Sequence, residues 1–315
     1  CLDLDKAYEL YKKAFTCQAT KTSDGCVSSG DKKDRDVMAY ETWERLGKKG
    51  HVGSLNSLGV CYLTGEGVEQ DKKKAFEWYQ KAMDNGCAAG IACVGKCYSD
   101  GEGVEKDEKK AFDLFGLAVQ SGCVSAMVFI ATCYMEGKGV AMNKKTGFEW
   151  VMKAANYHCA SAQYIVGACY LEGDGVEKDE KKAFEWCLKA ANEGNTVAQT
   201  VLAGMYGQGI GVEKDEKKMF YWAMEAAKKG DANGMLTVGS CYAAGGGVTQ
   251  DLTKAYEWYL KSANNGNADA MYNVAECYFN GKGVTQDKKT ALTWYLKSAE
   301  NGNEKALNVV NKWNK

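Results

Sequence analysis

From Val52 onward, apolar positions recur in short bursts separated by glycine. Each burst sets a small residue, a branched apolar residue four later and a tyrosine four beyond: Ser54, Leu58, Tyr62; Gly90, Val94, Tyr98; Ala162, Val166, Tyr170; Ala270, Val274, Tyr278. Spacing of i, i+4, i+8 gathers side chains on one stripe of an α-helix. A Gly-x-Gly-Val turn follows at 65–68, 101–104, 137–140, 173–176, 209–212, 245–248 and 281–284, always 36 residues on. A second burst comes next, as in Ala75-Phe76-Glu77-Trp78 and Ala183-Phe184-Glu185-Trp186, and closes at Gly86, Gly122, Gly194, Gly230, Gly266 or Gly302. A strict period of this length marks an array in which each unit packs on its neighbours.

The punctuation agrees with helix pairs. Asp71, Asp107, Asp179, Asp215, Asp251 and Asp287 stand where a second helix needs an N-cap. The first glycine of each turn suits a left-handed helix stop. The chain has no proline, and no stretch alternates with period two between turn residues. The prediction is all-α: a right-handed superhelical solenoid of about seven helix-turn-helix units, 52–87, 88–123, 124–159, 160–195, 196–231, 232–267 and 268–303. Residues 1–51 read as degenerate repeats, with 2–15 resembling a second helix and 16–36 an irregular polar loop. Residues 304–315 read as a partial capping helix.

Charge and cysteine narrow the picture. Forty basic residues against forty-one acidic ones leave a net charge of -1, which argues against a nucleic-acid partner. No apolar run is long enough to span a bilayer. The fourteen cysteines suggest disulfides until they are laid on the period. Cys61, Cys97, Cys133, Cys169, Cys241 and Cys277 share one position, with Met205 in the remaining unit, and Cys87, Cys123 and Cys159 share another. Equivalent atoms in stacked helices stand about 10 Å apart, whereas a disulfide needs Cα atoms within about 7 Å. The ladder is therefore read as small buried hydrophobes, and only Cys17 and Cys26 read as a plausible bonded pair. A cytoplasmic setting follows, with a secreted or periplasmic one as the alternative.

Motifs that invite chemistry have plainer readings. The Gly-x-Gly turns lack the strand that a phosphate or dinucleotide loop requires. Cys93 and Cys97 lie one helical turn apart with Cys87 just before, but no Cys-x-x-Cys or nearby histidine completes a zinc site, so packing explains them better. His51 and His158 are the only histidines, and His158 replaces a helix-ending glycine beside the helix's negative end. Ser29-Gly30-Asp31-Lys32 matches a penicillin-recognising signature without its companion motifs. Alternating charge at 105–110, 177–182 and 213–218 reads as solvated helix starts. No metal, cofactor or catalytic apparatus is expected.

The unit Ala-x-x-x-Leu-Gly-x-x-Tyr-x-x-Gly-x-Gly-Val-x-x-Asp-x-x-Lys-Ala-x-x-Trp-Tyr-x-Lys-Ala-Ala resembles the Sel-1-like repeat family, relatives of tetratricopeptide repeats. The best matches are 169–194 and 268–302. The resemblance implies an α/α superhelix serving as an adaptor or scaffold for protein complexes. The cysteine-rich bacterial branch bonds its two helices within each repeat, at positions held here by Ile91 and Met83, or Gln163 and Ala191, so that disulfide set is absent. That branch also makes a β-lactamase-like hydrolase the rival reading. Some eukaryotic repeats accompany protein kinases; a kinase or other catalytic domain would lie outside this chain.

In related superhelices the first helices line a concave groove. Its positions here carry Val128, Met135, Tyr164, Leu171, Leu236, Tyr272 and Phe279, an unusually apolar set. Exposed apolar surface of that kind marks a partner site. The expectation is a non-enzymatic adaptor holding a protein partner, as an extended peptide or a helix, against these residues. The alternative for the same residues is partial burial between neighbouring helices.

Overall fold

The computed structural model describes residues 32–313, with side chains from Asp36 on. The segment containing Cys17, Cys26, Ser29 and the helix expected over 2–15 lies outside the described residues. Those described form sixteen helices in antiparallel pairs, with no strand among them. After α1 (Lys32–Lys48), the first helices of the pairs are α2 (Val52–Thr64), α4 (Ala88–Asp100), α6 (Ser125–Glu136), α8 (Ala160–Glu172), α10 (Thr196–Gln208), α12 (Ala232–Ala244) and α14 (Ala268–Asn280). The second helices are α3 (Lys72–Asp84), α5 (Glu108–Gln120), α7 (Lys144–Asn156), α9 (Glu180–Asn192), α11 (Glu216–Lys228), α13 (Leu252–Asn264) and α15 (Lys288–Glu300), and α16 (Glu304–Trp313) follows.

One boundary differs from expectation. The irregular loop read over 16–36 gives way to helix at Lys32. The five residues that open α1 carry no apolar stripe. A helix nucleated by the amphipathic part around Trp43 extends backward at low cost, because each added residue brings its own hydrogen bond.

Caps fix the pairs. Gly65, Gly101, Gly137, Gly209, Gly245 and Gly281 end the first helices in the left-handed conformation. Aspartate opens the second helices, with Asn143 in its place once; Asp179 Oδ1 accepts from Lys182 N at 3.0 Å and Asn143 Oδ1 from Thr146 N at 3.1 Å. The same residue's N–H donates back to a first-helix tyrosine carbonyl, as Asp107 does to Tyr98 at 2.8 Å. His158, at φ 57, is the only non-glycine residue with positive φ among those described, and it takes the place of the helix-ending glycine.

The chain falls into two compact units, one ending at Ala162 and including Asp174–Val176, the other comprising Gln163–Gly173 and the residues from Glu177 on. Within each unit, the branched ladder is buried: Leu58, Val94 and Ile130 in the first, Val166, Leu202, Val238 and Val274 in the second. The cysteine ladder is buried as well. Successive pairs meet through edge-on rings, Phe76 on Tyr98 and Phe112 on Tyr134 in one unit, Phe184 on Tyr206 and Phe220 on Tyr242 in the other. Such pairs contribute about 0.5–1.5 kcal/mol each beyond area burial. Lysines cover the outer faces of second-helix tryptophans, with Lys81 Nζ 4.0 Å from the Trp78 ring centroid and Lys189 Nζ 4.0 Å from that of Trp186.

Candidate functional site

The first helices present the seven residues singled out above, and all seven are half-buried. Val128 and Met135 on α6 belong to the first compact unit. Tyr164 and Leu171 on α8, Leu236 on α12, and Tyr272 and Phe279 on α14 belong to the second.

The inward surfaces of six of them are spoken for. Tyr164 packs against the cluster around Ala190, Leu202 and Tyr206, and burial pushes its phenol up from the ordinary value. Leu171 packs beside Ala183, Cys187 and Met205. Leu236 rests on the cluster containing Tyr259 and Val274, and Tyr272 and Phe279 on that of Ala275, Ala291 and Tyr295. Met135 answers a gap in its own pair: a Cβ added at Gly147 would stand 2.6 Å from Met135 Cγ. The exchange is reversed at α10 and α11, where Met219 fills the space over Gly207, its Sδ 2.7 Å from where a Cβ would be. Part of the variation on this face is thus volume compensation between the helices of one pair.

What remains open lies between these anchors in the second unit. A Cβ added at Gly204 on α10 meets nothing within 4 Å, and Ser240 on α12 is exposed. Both belong to the series Val60, Lys96, Thr132, Ala168, Gly204, Ser240 and Glu276, which runs between the anchor positions. Glu276 is the residue of this face whose surroundings spacing did not disclose. Its partners come from a second helix that sequence alone does not bring alongside; a lone carboxylate in that series is the signal that marks it.

The other candidates resolve into packing. Among the described residues, no group of three or more His, Cys, Asp or Glu is arranged to hold a metal. Cys93 is half-buried and Cys97 buried, and burial raises both thiols, Cys97 to about 11. An open cleft of about 770 Å³ sits at one turn, lined by Tyr98, Val104, Asp107 and Lys110 among others. Its helix N-terminus is already answered by the Asp107 carboxylate, which accepts from Lys110 N at 2.9 Å. No described helix is long and apolar enough to cross a membrane.

Paired helices of 12 or 13 residues, closed by the same glycine turn and stacked pair on pair, define an α/α repeat solenoid whose first-helix faces carry the variable residues. The Sel1 repeat pattern matches residues 3–17, 53–87, 90–123, 124–156, 160–195, 196–231, 232–267 and 268–303, and the chain belongs to that family. Proteins of the family are generally scaffolds for protein interaction. The chain is similar to a protective antigen of uropathogenic Escherichia coli strains that displays an SLR fold, at 32% identity and a TM-score of 0.67, over 86% of this chain and 58% of that one. It is also similar to a Sel1 repeat protein from Oxalobacter formigenes, at 27% identity and a TM-score of 0.65, over 91% of this chain and 83% of that one. The chain thus spans less than two thirds of the antigen's length. No curated protein sequence matches it.

Proposed function

We propose that this chain is a non-enzymatic adaptor that binds a segment of a partner protein along the first-helix face of its second compact unit. The observation that carries the reading is the open strip at Gly204 and Ser240 between the half-buried anchors Tyr164, Leu171, Leu236, Tyr272 and Phe279. Anchors already packed on one side lose little conformational freedom on binding, which favours a surface of this kind. Val128 and Met135 offer the same type of surface in the first unit. The partner is a protein, and a kinase or other catalytic domain joined to the repeats is one form it takes. The setting proposed is the cytoplasm. Support comes from free, buried thiols such as Cys187 and Cys241, which burial raises to about 11 and so keeps unreactive.

The test blocks the strip without disturbing the anchors. Gly204→Glu points a charge into open space and adds helix propensity of about 0.5 kcal/mol, and Ser240→Glu adds a second charge one pair on, where the Ser240 hydroxyl now accepts from Tyr259 at 3.4 Å. Affinity capture from source lysate, read by mass spectrometry, is run with wild type and with this double variant, both checked by circular dichroism. A partner held by wild type and lost from the variant is the expected result. Equal capture places binding on another face, and no capture by wild type removes the adaptor reading.

A further inference from the structure

Glu276 is the only carboxylate in its series along the first helices. It sits half-buried on α14, one turn after Tyr272 and just before Phe279. Three neutral donors hold it: the hydroxyl of buried Tyr295 donates to Oε1, Asn280 Nδ2 donates to Oε2 at 3.1 Å, and the Tyr272 hydroxyl also donates to the carboxylate. The Tyr295 ring that donates to this carboxylate belongs to an aromatic group. Tyr272 meets Tyr295 edge-on at 5.6 Å, and Trp313 on α16 lies 5.8 Å from Phe279 and 6.2 Å from Tyr295. Burial first, and then Glu276, through its charge and the hydrogen bond each hydroxyl gives it, push the phenols of Tyr272 and Tyr295 up. Among the described residues, no ion pair includes Glu276. Lys288 Nζ is placed over the Phe279 ring instead, at 5.6 Å, and Lys312 stands one step farther along the series.

The chemistry of this group is specific. A carboxylate has about four acceptor positions, so one remains open after its three present donors are counted. A carboxylate taken partly out of water and met only by neutral donors still gains from a cation. Ring faces beside it attract cations too, most strongly a flat and weakly hydrated one. A guanidinium satisfies all three conditions, bonding the open acceptor position, and both oxygens where the Tyr272 hydroxyl gives way, while stacking on a ring. We infer that Glu276, Tyr272 and Trp313 receive an arginine side chain of the partner segment. This rests on the reading that the first-helix face binds a protein segment, and it names the chemistry that segment carries at α14.

The probe is N-acetyl-arginine methylamide, titrated to tens of millimolar into the full chain with ring-labelled tyrosines and followed by NMR. The Tyr272 signal is assigned from Tyr272→Phe. Arginine is expected to shift that signal saturably, and the neutral isostere citrulline to bind about tenfold more weakly or worse. Glu276→Gln keeps an acceptor for the Tyr295 hydroxyl while removing the charge, and is expected to lose arginine binding by about tenfold. If that variant does not fold, Trp313→Ala at the end of α16 takes its place with the same expectation. The lysine counterpart is expected to bind more weakly than arginine. Absence of a shift with arginine, equal binding of citrulline or lysine, or unchanged binding in the folded variant each overturns the assignment. A chain that loses its captured partner on Gly204→Glu/Ser240→Glu yet ignores arginine keeps the adaptor reading and loses this site alone.

Discussion

The two glycines of each turn do different work. The first only reverses the chain, with left-handed φ as at Gly101 (72°). The second is pressed against another pair: a Cβ on Gly103 would overlap the Lys72 carbonyl, and Gly139, Gly211, Gly247 and Gly283 stand likewise against Glu108, Glu180, Glu216 and Leu252. Those carbonyls open the preceding second helix, so neither side has a rotamer with which to yield. Gly86, which ends α3, shares the positive φ (78°) but has nothing within 4 Å of its Cβ direction. Gly86→Ala is therefore expected to cost about 1–2 kcal/mol, the left-handed penalty alone. Gly103→Ala is expected to cost clearly more, because the backbones must part as well. Urea unfolding of the two variants, compared at equal m-value, checks this; equal losses would show that the turn does not set the distance between pairs. The sequence shows both glycines and explains only the first, since nothing in a one-dimensional pattern says which turn touches which neighbour.

At the scale of the helix, most of the fold was legible because its signals are local. The stripe, the glycine stop and the Asp cap all lie within a few residues of the feature they specify, and helix ends follow them. The exceptions require a partner from elsewhere. Met135 belongs by its position to the predicted partner face, yet Gly147 stands opposite it, as Gly207 does opposite Met219. Glu276 gained its meaning only when α15 brought Tyr295 to it. The anchor face was legible as a list of residues, whereas the packing beneath it was not. The caps make a prediction of their own. Backbone N–H groups of the first turn hold Asp71, Asp179, Asp215 and Asp251 below the ordinary carboxyl range, and Thr290 does the same for Asp287. A carboxyl with a lowered folded pKa binds fewer protons folded than unfolded, so its contribution is complete above the unfolded value of about 3.9. It is lost as pH falls through the lowered folded values. Thermal unfolding between pH 2 and 6 is expected to show Tm falling below about pH 4. Replacing those five aspartates with asparagine, the cap already present at Asn143, is expected to flatten that fall. A profile of unchanged steepness would move the acid sensitivity to other carboxylates.

Across the whole chain, compensation stays inside the period. Met219 and Gly207 lie in one 36-residue unit, as do Met135 and Gly147 in another, whereas between pairs of one compact unit the ring pair and the approach of glycine to a carbonyl recur. Removing residues 196–231 would take the Met219–Gly207 exchange away entire and bring Asn195 up to Ala232. Asn195 already caps α10 by accepting from Ala198 N at 2.8 Å, the role Asp231 plays for α12 through Gly234 N at 2.6 Å. Phe184 would then meet Tyr242 as Phe220 now does, and Gly247 would face the Glu180 carbonyl in place of that of Glu216. The Thr200 hydroxyl bond to Asp231 leaves with both of its ends. Since stability in such an array is a sum over units and nearest-neighbour interfaces, the shortened chain is expected to keep its helicity per residue and unfold cooperatively at a somewhat lower Tm. Removing only 196–213, the first helix and its turn, would set one second helix directly after another, and that chain is expected to lose cooperative unfolding. Circular dichroism and thermal melts of the two deletions decide the matter. If both fail alike, coupling reaches beyond adjacent pairs, and the 36-residue unit is not the element from which this molecule is assembled.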